Sequence, residues 1–140
     1  MKLTEPRGMY FEQFEVGMQI VTGSRTVTEA DIVNFAGLSG DYNQIHTDAA
    51  YASKAPYGQR VAHGLLGMAI ASGLAVQTGF MEGTVLAFRE ITQWKFSHPI
   101  LIGDTIHALI QVTDAKPMPR LKAGAVSINL DVRNQKNETV

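Results

Sequence analysis

Apolar and polar positions along the chain alternate with one period, then another, and each change marks an element. Met18 to Val27, "MQIVTGSRTV", is rich in β-branched residues and predicts a strand. "TVTEADIVNFAG" then shifts to helical spacing, with Ile32, Phe35 and Ala36 on one face. Thr28 is placed to cap that helix, Asp31 completes a capping-box variant, and Gly37 is expected to end it. "TDAAYAS" predicts a short helical turn capped by Thr47 or Asp48, and "KAPYGQR" reads as loop. The strongest helical segment is "HGLLGMAIASGLAVQTG". Leu65, Met68, Ala69 and Ser72 line one side of it, and Leu66, Ile70 and Leu74 another, so it is expected to be buried on most sides. Gly64, Gly67, Ala69, Ala71 and Gly73 keep it thin. Strand character returns over Val85–Phe96 and Gly103–Lys116, and in "GAVSINLDVRNQ". There Val126, Ile128, Leu130 and Val132 are expected inward, and Ser127, Asn129, Asp131 and Arg133 outward. "NQKNE" reads as a polar turn, and Thr139–Val140 as the first step of another strand. An early strand, one buried helix and several later antiparallel strands predict an α+β protein whose sheet covers a central helix. The edges of such a sheet favour a dimer.

Composition narrows the functions open to this architecture. The 140 residues fit one domain over 1–140, without repeats or low-complexity linkers. The absence of cysteine excludes disulfides, thiolate metal sites and a cysteine nucleophile. A net charge of −1 without a basic run argues against nucleic acid. Lys116, Arg120 and Lys122 read as a solvated basic loop. "MKLTEPRGMYFEQF" lacks the apolar core of a signal peptide, and Leu65–Val76 is too short to span a bilayer. The expectation is a soluble cytoplasmic protein without membrane association.

The chemistry concentrates in "SGDYNQIHTDAAY", Ser39 to Tyr51, where Asp41, Asn43, His46 and Asp48 crowd together. Asx turns that satisfy only backbone groups are one reading. A calcium loop fits Asp41 and Asn43 but places His46 where glycine is needed and Ala52 where glutamate is needed. A zinc site needs further ligands, and His63, His98 and His107 show no i, i+4 pairing, so no metal is expected. The remaining reading is an acid–base pair, Asp41 and His46 aimed at one water. A serine triad is disfavoured, since no G-x-S-x-G elbow is present. Downstream, "RVAHGLLG" puts Gly64 at the start of the thin helix. There its N–H is an unpaired donor backed by the helix dipole, suited to an oxyanion hole. The alternative is that Gly64 only permits a sharp turn. Ser72, two turns inside, reads first as a close-packing residue. His63 reads as a helix-entry residue whose ring satisfies a loop backbone group.

"FEQFEVGM", "SRTVTEADIVNFAGLSGDYNQIH", "YGQRVAHGLLGMAIASG" and "WKFSHPILIGDTI" together resemble the MaoC-type dehydratases, which include the (R)-specific enoyl-CoA hydratases. The resemblance runs from Tyr10 to Val140 and rests on "GD-x-N-x-x-H" followed by "R-x-A-H-G". It implies a hot-dog fold, an antiparallel sheet wrapped around a long central helix. It implies Asp41 and His46 as the catalytic pair, with Gly64, Ser72 and Asn43 as substrate-site residues. The Gly64 amide would donate to a thioester carbonyl, Ser72 would add a polar group, and Asn43 would orient the loop. It also implies a homodimer or higher oligomer, an acyl-CoA or acyl carrier protein thioester as substrate, and no cofactor. Two positions depart from the family pattern. Gln44 stands where the family often has proline, and the chain stops at Val140, where family members usually continue into a last strand.

On that resemblance the reaction is hydration of a trans-2-enoyl thioester to the (3R)-hydroxyacyl product, or its reverse. The acyl tail would lie along the thin helix beside Gly67, Ala69 and Ala71. Two alternatives stay open: a thioesterase of the same fold, aiming water at the carbonyl, and a non-catalytic acyl-thioester-binding module.

Overall fold

Alternation along one long strand sets the architecture. In the computed structural model, which describes residues 7–140, strand β3 (Thr105–Met118) buries Ile106, Ala108, Ile110 and Val112 on one face. Residues 1–6 of the stretch read for a signal peptide lie outside the described residues. Strand β4 (Ala123–Arg133) returns antiparallel along β3 after a 3₁₀ turn over Pro119–Leu121, with His107 opposite Arg133 and Met118 opposite Ala123. Two short strands, β1 (Gln19–Val21) and β2 (Arg25–Thr26), also pair antiparallel with β3. The segment predicted as one strand over Met18–Val27 is therefore interrupted. At the break, the buried Thr22 receives a hydrogen bond from the Ala108 amide through its Oγ1, 2.8 Å.

Helices α1 (Glu29–Ser39), α2 (Gln44–Thr47) and α3 (Ala49–Ser53) lead to the long helix α4 (Gly64–Gln77). Leu66, Ile70, Ala71 and Leu74 of α4 form the core with Val27, Ile32, Ile106, Ala108 and Val132. The α1 capping box forms as expected: Thr28 Oγ1 accepts from the Asp31 amide, and Asp31 Oδ2 from the Thr28 amide.

Four expectations change. Helix α1 runs through Gly37 and stops at Gly40, whose φ of 77° suits glycine and whose N–H bonds the Ala36 carbonyl. In this chain α4 is buried on one side only, with Leu65 61% and Val76 52% exposed. Along β4, Val132 is buried as expected but Ile128 is 40% exposed, just past a register shift between Val112 and Asp114. Finally, Val85–Phe96 joins no ladder among the described residues. Its Leu86 and Phe88 are more than four-fifths exposed, so its backbone must be satisfied by water or by another chain. Thr139 makes only an isolated bridge to Arg133.

Candidate active site

The Asp41 loop is built by short polar side chains. Ser39 Oγ donates to the Phe35 carbonyl and accepts from the Asp41 amide. Asp41 Oδ1 accepts from the Asn43 amide at 3.1 Å, and Asn43 Oδ1 accepts from the Ile45 amide at 3.2 Å. These are the Asx turns of the simplest sequence reading, and Asn43 caps α2 through one of them. Only one Asp41 oxygen is used in this way. The other, Oδ2, lies 4.0 Å from His46 Nε2.

His46 sits within α2, a single helical turn where the sequence suggested loop. Its residue is 7% exposed, and its Nδ1 lies 2.7 Å from the Val61 carbonyl. A carbonyl only accepts, so Nδ1 carries the hydrogen and Nε2 presents its lone pair toward Asp41. A separation of 4.0 Å is too long for a direct bond. It suits one water bonded to both atoms at about 2.8 Å, with an angle near 90° at the water.

The "R-x-A-H-G" segment clamps this turn from outside. Arg60 Nε donates to the His46 carbonyl at 2.7 Å, and its Nη1 pairs with Glu29 Oε1 at 2.6 Å. The Val61 amide bonds the Ile45 carbonyl at 3.1 Å. His63 reaches back to the Asp41 carbonyl through Nε2 at 2.9 Å, the backbone-satisfying role its position suggested. Sequence reasoning missed what its ring does besides: it stacks on His46, centroids 3.8 Å apart and planes 25° apart.

Gly64 follows at once. Among the described residues its N–H and that of Leu65 have no hydrogen-bond partner. A cavity of about 400 Å³ opens here, lined by His46, Gly64, Gly67, Met68, Phe96 and Ile100 among others. Glycine at 64 permits a close approach: a Cβ there would lie 2.7 Å from the Phe96 ring, which would have to shift. The φ of Gly64 is not positive, so a sharp turn does not explain it. Gly67, beside which an acyl tail was expected, lines this cavity, and a Cβ there would lie 2.6 Å from Ile100 Cδ1. Ala71 is fully buried in the core, and Ala69 faces a separate cavity of about 250 Å³. Ser72 is exposed and lines neither cavity, so the fold does not bring it together with Asp41, His46 and Gly64.

Asp41, His46 and His63 each offer a ligand atom within 4.8 Å of the others. A metal ion binds imidazole in the plane of the ring. The two rings are stacked face to face, so one ion cannot lie in both planes, and the trio suits proton transfer better than coordination. Among the described residues, no helix is long and apolar enough to cross a membrane.

With this geometry in hand, comparisons with known proteins converge. The model of the MaoC like domain family matches residues 12–134. Protein MaoC of Klebsiella aerogenes is 42% identical over 101 residues, 72% of this chain. The chain spans only 30% of that protein's length. The (R)-specific enoyl-CoA hydratase of Rhodospirillum rubrum is 34% identical over 108 residues, covering 77% of this chain and 72% of the relative. The solved structure of a monoamine oxidase regulatory protein from Archaeoglobus fulgius aligns with a TM-score of 0.88 at 38% identity, over 95% of this chain and 88% of the other. The helix-on-antiparallel-sheet arrangement is the hot-dog fold of these proteins.

Proposed function

Because the chain belongs to the MaoC-like domain family, we propose that it is a hydro-lyase that adds water to trans-2-enoyl-CoA to give (3R)-hydroxyacyl-CoA, or removes it. The observation that carries the reading is the Asp41 Oδ2 and His46 Nε2 pair, 4.0 Å apart, with His46 on the wall of the cavity that Gly64 opens. One water held by that pair loses a proton as its oxygen attacks the β-carbon. The pair takes that proton and gives one back to the α-carbon, so that one H and one OH are added across the double bond and the pair returns to its starting state. Charge building on the thioester oxygen meets the unpaired Gly64 N–H at the positive end of α4. Positioned acid–base groups contribute roughly 10²–10⁴-fold and one oxyanion donor ~3–4 kcal/mol.

The active form is a homodimer. Leu86 and Phe88 project from a stretch with no ladder partner among the described residues, and the exposed side of α4 adds Leu65 and Val76 to the apolar surface.

The test is loss of the enoyl-thioester absorbance of crotonyl-CoA, run beside a free-thiol assay, with (R)- and (S)-specific dehydrogenases reading the product. Absorbance loss without thiol release, giving the (R)-alcohol, is expected. Thiol release without hydration would instead make the protein a thioesterase.

A further inference from the structure

We propose that His63 is a positioning residue for the Asp41–His46 pair, holding the peptide of one partner and the ring of the other from the start of α4. The inference rests on the hydration reading given above. Asp41 needs such a support because its side chain is 51% exposed and its neighbouring bonds are local: its own amide to Ser39 Oγ, the Asn43 amide to Oδ1, and the Tyr42 amide to the Gly40 carbonyl. The bond that ties its peptide to a distant part of the chain is the one from His63 Nε2 to the Asp41 carbonyl, 2.9 Å across 22 residues.

The same ring covers one face of His46 at 3.8 Å, while the Val61 carbonyl fixes the edge of His46 through Nδ1. His46 is thus held both against swinging and against twisting, with Nε2 left facing Asp41. His63 is itself braced, with Phe35 of α1 edge-on at 4.9 Å. A donor to the Asp41 carbonyl must be Nε2–H, and among the described residues the other ring nitrogen, the buried Nδ1, has no hydrogen-bond partner. Of the three side chains only His46 lines the cavity; His63 spends Nε2 on the Asp41 carbonyl and its face on His46, so its effect passes through that pair.

Three variants separate its two contacts: His63→Phe keeps the ring, His63→Gln keeps a donor, and His63→Ala keeps neither. With crotonyl-CoA, His63→Ala should lose about 10- to 100-fold in kcat with KM within about twofold, and the other two should each recover part of that loss. In an Asp41→Asn background, His63→Phe should cost little more. Unchanged kcat, a loss confined to KM, or the same factor in both backgrounds would overturn the proposal while leaving hydration itself intact. A readout on the unaltered protein needs no variant to fold and no turnover. Imidazole ¹⁵N shifts should show opposite tautomers, Nε2–H in His63 and Nδ1–H in His46. Nδ1–H in His63 would overturn the proposal even in a protein that hydrates crotonyl-CoA. If the unaltered protein fails to hydrate, the functional reading falls, and the tautomers still report on His63.

Discussion

The proposed mechanism divides one task between Asp41, a half-exposed carboxylate, and His46, a buried imidazole. The carboxylate can exchange with solvent, while the imidazole is fixed in direction by the Val61 carbonyl. The proposed mechanism takes its third requirement, a backbone donor, from Gly64, which has no side chain to cover it. Gly64→Ala should therefore cut turnover by more than about tenfold while leaving the melting temperature within a few degrees, since the Phe96 ring it would strike is 55% exposed and can move. A normal kcat in that variant would show that a Cβ at residue 64 does not obstruct the approach of substrate to this amide. Much of this site was legible residue by residue: an acid and an imidazole close in sequence, and a glycine at a helix start. The stack of His46 on His63 was not, because it depends on how two loops fold onto each other. Ser72 was singled out from its place in the helix; it shares a face with Leu65 and Met68, which line the cavity that holds His46, but it sits one turn farther along and is not among the lining residues.

Elements were readable where their determinants are local. The capping box of α1 is set by Thr28 and Asp31 alone, and it forms. Thr28→Ala should cost about 1 kcal/mol and lower the melting temperature by roughly 3 °C, with kcat unchanged. A calorimetric scan beside the kinetic assay checks both, and an unaltered melting point would mean the cap contributes nothing. The end of α1 was misplaced because two glycines follow the periodic run, and only the backbone decides which enters the left-handed region. Val85–Phe96 carries a strand-like composition, but composition does not name a partner. The Met18–Val27 segment was read as one strand because its break at Thr22 depends on a side-chain bond to β3.

At the scale of the whole molecule, the described chain leaves a stretch without a ladder partner and half of its central helix uncovered. That surface is the reason a second copy belongs in the account. Phe88→Glu, at a residue 83% exposed, should shift the protein from dimer to monomer in light scattering without loss of secondary structure. An unaltered protein that is monomeric and fully active would contradict the dimer. The fold class was legible because one long apolar helix among antiparallel strand patterns has few packing solutions. One-sided burial of that helix was not, because its sequence is apolar all round and the chain alone covers only one face.

The most direct test of the account is the turnover of crotonyl-CoA by Asp41→Asn. The carboxylate is half exposed, and asparagine keeps an oxygen for the Asn43 amide, so the fold should persist. Hydration is predicted to fall by at least about 10²-fold with circular dichroism unchanged. A folded Asp41→Asn protein that hydrates at a near-normal rate would contradict the shared-water mechanism.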